Sequence, residues 1–86
     1  MKVSIELTMS PLQADYEQHI IEFIKKLRDS EFTVLENPLS TQIYGDYYPV
    51  MEFLTKAIGK SMEETGVVLF HMKLVKTDRS DYEPFF

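Results

Sequence analysis

Residues Val3, Ile5, Leu7 and Met9 alternate with Ser4, Glu6, Thr8 and Ser10. A period of two puts every apolar side chain on one face of a strand and every polar one on the other. Such a strand can be buried on one side only. It needs neighbouring strands to satisfy its backbone and a second layer to cover its apolar face, and an 86-residue chain must supply both.

The rest of the sequence supplies those elements. After Ser10-Pro11 the spacing changes to that of a helix: Tyr16, Ile20, Phe23, Ile24 and Leu27 share one side, with Glu17, Glu22, Lys25, Lys26 and Arg28 on the other. The pattern predicts a helix from Ala14 to Arg28. Phe32 to Glu36 is rich in β-formers, Asn37-Pro38 supplies turn chemistry, and Ser40 to Tyr44 follows closely enough to pair with it as a hairpin. Gly45-Asp46 ends that strand. Asp46 is placed to cap a second helix, whose first turn tolerates Pro49. The helix carries Val50, Phe53, Leu54, Ala57, Ile58 and Met62, and Gly66 stands where a C-terminal glycine belongs. Val67 to Val75 reads as a last strand, with Val68, Phe70, Met72 and Leu74 on one face and Leu69, His71 and Lys73 on the other.

The order β-α-β-β-α-β is the split βαβ pair of the ferredoxin-like fold. The expectation is one domain over residues 1–86, with both helices on one face of a four-stranded antiparallel sheet and an irregular tail from about residue 76. The helices then cover Val3, Ile5, Leu7 and Met9. The opposite face carries Ser4, Glu6, Thr8, Ser10, Leu69, His71 and Lys73, with either Gln42 and Tyr44 or Thr41 and Ile43. That face is a wet surface, a ligand site or an interface.

Composition removes several functions. Without cysteine there is no disulfide, zinc finger, iron–sulfur cluster, copper-chaperone loop or thiol nucleophile. A net charge of −5 and the interruption of Lys25, Lys26 and Arg28 by Asp29 and Glu31 disfavour nucleic acid as a partner. The strand Val68 to Lys73 also lacks the aromatic pattern of an RNA-recognition domain. Gly45, Gly59 and Gly66 are too scattered for a phosphate loop. The start has no signal-peptide run, and no stretch approaches the ~20 apolar residues of a membrane span, so a cytoplasmic location is expected.

Few residues point to catalysis. No Gly-x-Ser-x-Gly turn or paired base marks a nucleophile, Glu63-Glu64 reads as a solvated helix end, and no cofactor or metal set is implied. His19 sits beside Ile20 on a helix flank. His71 is either a hydrogen-bonding group for a polar ligand or a structural histidine, and metal binding with Glu6 would need a further ligand. Tyr47-Tyr48 could stack on a planar ligand or pack at the helix entry. Phe85 and Phe86 are two apolar aromatics that need a cover, such as a partner subunit.

Two segments resemble one family. Ser4-Ile5-Glu6-Leu7-Thr8-Met9-Ser10-Pro11-Leu12, followed by the helix from Tyr16 to Leu27, is similar to the opening strand, Pro-Leu break and helix of the YkoF-like thiamine and hydroxymethylpyrimidine-binding proteins. Ser40-Thr41-Gln42-Ile43-Tyr44-Gly45-Asp46, leading into Val50 and Phe53-Leu54, resembles their Ser-Thr strand, Gly-Asp turn and helix. Gly66-Val67-Val68 extends the match. The tail after Val75 departs from the family's small-residue ending.

The resemblance implies a non-enzymatic binder of thiamine or its pyrimidine precursor, in vitamin transport, salvage or sensing, that pairs as a homodimer or homotetramer. Its matched positions are Ser10, Ser40, Thr41, Gly45 and Asp46. An aminopyrimidine suits one carboxylate, a few hydroxyls and an aromatic wall, which Glu6, Thr8, Thr41 and Tyr44 or Tyr47 could supply. Two alternatives stand beside it: an interaction module that self-associates through its sheet, and a small enzyme using His71 with Glu6 as acid and base.

Overall fold

The computed structural model describes residues 1–86 and has the expected order: β1 (Lys2–Pro11), α1 (Tyr16–Arg28), β2 (Thr33–Glu36), β3 (Thr41–Asp46), α2 (Tyr47–Glu64) and β4 (Val68–Val75). The four strands form one antiparallel sheet in the order β2-β3-β1-β4, the ferredoxin-like arrangement. β1 is central, pairing with β3 from Lys2↔Asp46 to Leu7↔Thr41 and with β4 from Ser4↔Val75 to Pro11↔Val68.

The alternation in β1 does what its period requires. Val3, Ile5 and Leu7 are buried beneath the helices with Ile43 of β3, Phe23 and Leu27 of α1, and Val50, Leu54 and Ala57 of α2. At about 1.5–3 kcal/mol for each large apolar side chain buried, this cluster is the main source of stability. On α2 the buried stripe runs Val50, Leu54, Ala57, Ser61, so Ser61 takes the inward position of the last turn and Met62 is left exposed. Tyr16, counted on the apolar side of α1, is exposed as well.

Cap chemistry differs from expectation at both ends of α2. Asp46 occupies the N-cap position but makes no side-chain cap bond, and its carboxylate turns to Lys2, 3.4 Å away. Gly66 has no positive φ. The helix ends at Thr65 in extended backbone, its hydroxyl donating to the Ser61 carbonyl, and Gly66 instead donates its N–H to Gln13 Oε1 at 3.0 Å.

The β2–β3 hairpin turns through residues 37–40. Asn37 Oδ1 accepts from the N–H groups of Leu39 and Ser40, the local bonding that suits Asn to a turn. The ion pair Arg28–Glu36, two contacts of 2.6 and 2.7 Å, ties the end of α1 to β2.

β4 is covered only in part. Its register sets Val68, Phe70, Met72 and Leu74 on the helix side, and Phe70 packs its ring 5.2 Å from that of Phe23. Yet α1 lies over β1 and α2 over β3, and Met72 and Leu74 stay exposed, because the helix layer stops short of this end of the edge strand.

Gly45 has a steric role. A Cβ there would lie 2.6 Å from Phe32 Cδ1, and the Phe32 ring is held against Phe53, 5.6 Å between centroids. The missing side chain is the space the Phe32 ring fills. Gly45→Ala should therefore cost about 1–3 kcal/mol in denaturant unfolding, by overpacking. Leu27→Ala, at a fully buried site, should cost about 2–5 kcal/mol.

Candidate functional site

The structure separates the residues expected to act together. Because Ile43 is buried in the core, its strand neighbours Thr41 and Gly45 lie on the helix side, and Gln42 and Tyr44 lie on the open face with Ser4 and Glu6. Thr41 therefore does not share a face with Glu6. Nor does His71 stand opposite Glu6: the β1–β4 register pairs Glu6 with Lys73 and Thr8 with His71.

Two depressions take up these residues. The first is the more enclosed, a cavity of about 190 Å³ between α1, the end of β1 and the hairpin turn. Leu7, Met9, Ile20, Phe23, Ile24 and Leu39 make its apolar wall. Asn37, Ser40 and Thr41 add a carboxamide and hydroxyls, and Thr8 borders the cavity at the end of β1. Three expected residues, Thr8, Ser40 and Thr41, thus border this cavity: Thr41 from the helix side of the sheet, Thr8 from the end of the open-face row of β1, and Ser40 from the hairpin turn between them. None of the lining side chains is ionisable.

The local sequence explains the cavity. α1 turns Ile20, Phe23 and Ile24 toward the sheet, and the Asn37-Pro38 turn carries Leu39 and Ser40 alongside them. Thr41 places a small side chain in a row otherwise occupied by Ile43 and leaves room beside Leu7, its partner across the ladder. Phe23, Asn37 and Leu39 line the cavity without being marked for it by the sequence. Phe23 reads as core and Asn37 as a turn residue, and only the three-dimensional approach of turn and helix gives them a shared purpose.

The second depression is shallow and polar, on the open face. Ser4, Glu6, Gln42, Tyr44, Lys73 and Arg79 surround about 160 Å³. Ser40 joins the two places: its hydroxyl donates to Glu6 Oε2 at 3.0 Å and accepts from Gln42 Nε2 at 2.7 Å. Arg79 comes from the tail, which Ser4 fastens to the sheet. Its Oγ donates to the Thr77 carbonyl at 2.7 Å and accepts from the Arg79 N–H at 2.8 Å. The tail is irregular, as expected, yet it builds one wall of this face.

Burial first, and then the nearby charges of Asp78 and Glu6, push the Tyr44 phenol up from its ordinary value of 10.0. Asp78 is itself held low by hydrogen bonds from Ser80.

The remaining expected residues stand apart. Ser10 is exposed at the end of β1, opposite Leu69. Asp46 serves Lys2. Tyr47 packs on the core with Tyr48 edge-on at 4.9 Å, and lines neither depression. His71 is exposed on the edge strand. His19 lies on the flank of α1 within 3.2 Å of Asp15. No group of three or more His, Cys, Asp or Glu side chains is disposed to hold a metal ion, and no helix is long and apolar enough to cross a membrane.

The chain is thus a ferredoxin-like α+β domain with a small apolar cavity under its hairpin turn. Several solved structures share this fold. A Streptococcus pneumoniae protein is 26% identical with a TM-score of 0.83, over 91% of this chain and 89% of that one. A Thermotoga maritima protein assigned provisionally to thiamine biosynthesis or salvage is 14% identical with a TM-score of 0.81, over 90% of this chain and 85% of that one. A Bacillus cereus domain of unknown function, DUF77, is 12% identical with a TM-score of 0.74, over 99% and 84%. No family model and no curated protein matches the sequence.

The electrostatics of the open face can be tested directly. The raised Tyr44 value favours the neutral phenol, so its contribution to stability is full below the unfolded tyrosine value and is lost as pH rises through the folded one. A difference ultraviolet titration of wild type against Tyr44→Phe should reveal one phenol ionising above the ordinary tyrosine range. A midpoint at or below that range would contradict the placement.

Proposed function

We propose that this chain binds, without transforming it, a small planar heterocycle of the aminopyrimidine class, such as hydroxymethylpyrimidine or the pyrimidine end of thiamine, in the cavity under the hairpin turn. The observation that carries the reading is the meeting of Thr8, Ser40 and Thr41 with the apolar wall of Phe23, Ile20, Ile24 and Leu39 in one space of about 190 Å³. A single ring fits a cavity below the usual size of drug-sized sites, which begin at about 300 Å³. An apolar slot with a few hydrogen-bonding groups recognises such a ring by stacking contact and by its amino and ring-nitrogen atoms.

The lining supports binding over turnover. With no acid, base or metal set in the cavity, nothing there is equipped to move a proton. The same lining favours an uncharged ring inside. A cationic group attached to it would lie toward Ser40 and its partner Glu6, on a protein of net charge −5. The Thermotoga neighbour's provisional place in thiamine metabolism agrees with this ligand class, as do the Ser40-Thr41 and Gly45-Asp46 segments on which the family resemblance rests.

Isothermal titration tests the reading. Hydroxymethylpyrimidine or thiamine should give saturable heat with the wild type. Thr41→Val, which keeps the shape and removes the hydroxyl, should weaken binding by about tenfold, the worth of one hydrogen bond near 1.4 kcal/mol. Absence of heat and of any thermal shift with both compounds at millimolar concentration would reject the ligand class.

A further inference from the structure

On the open face, three strands set two rows of side chains side by side. Gln42, Glu6 and Lys73 make one row, and Tyr44, Ser4 and Val75 make the next. Ser4, the smallest of the six, leaves the middle of its row low. Its Oγ is bonded twice to the tail, at the Thr77 carbonyl and the Arg79 N–H, and this brings Arg79 in as a further wall of the depression.

The charges around this depression do not satisfy one another. Glu6 and Lys73 stand directly opposite across the ladder, where opposite charges ordinarily attract, yet no ion pair joins them. The ion pairs of the chain use the N-terminus, Lys2, His19, Arg28, Lys56 and Lys60 as cations, and neither Lys73 nor Arg79 enters one. Glu6 is engaged at one oxygen only, Oε2, by the Ser40 hydroxyl at 3.0 Å. Ser40 in turn accepts from Gln42 Nε2 at 2.7 Å, which fixes the Gln42 amide and leaves its Oε1 an open acceptor. Burial favours the neutral Tyr44 phenol, so its O–H stays a donor. Asp78, the other carboxylate near Tyr44, accepts from the Ser80 N–H at 2.9 Å and does not line the depression.

We infer that this open-face depression is a second binding site, for a small zwitterion that carries an ammonium and a carboxylate on one short carbon frame, as an α-amino acid does. The ammonium has donors to place, and Glu6 Oε1 and Gln42 Oε1 are free to accept them. The carboxylate has acceptors only. Lys73, Arg79 and the Tyr44 O–H are its donors, and the guanidinium can offer two parallel N–H bonds. The two acceptors stand on β1 and β3 and the two cations on β4 and in the tail beyond it, so the ligand's charges are met in one orientation. A plain anion would face the Glu6 carboxylate and a plain cation would face Lys73 and Arg79. A zwitterion avoids both penalties. The space of about 160 Å³ suits a ligand of this size.

This site shares no lining residue with the cavity under the hairpin turn, so it stands or falls separately from the heterocycle reading. Amide chemical shifts of the labelled full chain, titrated with glycine, test it, with acetate and methylammonium as probes of one charge each. Glycine should move the amides of Gln42, Lys73 and Arg79 saturably at millimolar concentration, and should bind about tenfold more tightly than either probe. Lys73→Gln, at an exposed position, should weaken glycine by about tenfold. Glu6→Gln should weaken glycine to a similar extent while acetate binds as well as before or better, an opposition that a general loss of structure would not produce. Failure of glycine to saturate overturns the inference. So does acetate binding as tightly as glycine, or a Glu6→Gln protein that loses both ligands alike.

Discussion

Everything in this molecule is arranged around β1. It pairs with β3 on one side and with β4 on the other, and its inward residues Val3, Ile5 and Leu7 share one buried cluster with residues of both helices. Its period of two divides the protein physically: apolar side chains assemble a core on one face, and Ser4 and Glu6 are left to organise the other. On that second face Ser4 holds the tail and Glu6 receives Ser40. Shifting the register of β1 by one residue would move the whole apolar set into water, so the strand's pairing is fixed by the same pattern that makes it a strand.

A small core sets the terms for function. Nine apolar residues make up the buried cluster, and the helix layer they support reaches over β1 and β3 but not over the second half of β4. Two consequences follow. Where α1 and the hairpin turn come together without quite closing, a cavity remains. Where the helices stop short, apolar side chains of an edge strand remain uncovered. A larger domain would have filled the first and hidden the second.

The fold could be read from the sequence because its signals are local. Alternation in residues 3–10, helical spacing in residues 16–27 and 50–62, and Asn37-Pro38 at the turn each act through residues a few positions apart. The expected strand and helix boundaries lie within two residues of the observed ones. The site was less legible, and the residues show why. The sequence leaves open whether Thr41 or Gln42 shares the face of Glu6, and the burial of Ile43 turns Thr41 to the helices. A shared face puts His71 within the neighbourhood of Glu6, but the strand register sets Lys73 opposite it and His71 opposite Thr8. Phe23 and Leu39 gain their role only when turn and helix approach, and Arg79 only because Ser4 bends the tail back. Relations of this kind depend on register and on loop geometry, which no short window of sequence encodes.

The central claim is that the cavity under the hairpin turn, and not the polar open face, receives a small heterocycle. Amide chemical shifts measured while hydroxymethylpyrimidine is titrated into the labelled protein address it most directly. The account predicts that the shifts concentrate at Phe23, Ile24, Leu39, Ser40 and Thr41. Shifts confined to Tyr44, Lys73 and Arg79, or none at saturating ligand, would contradict it.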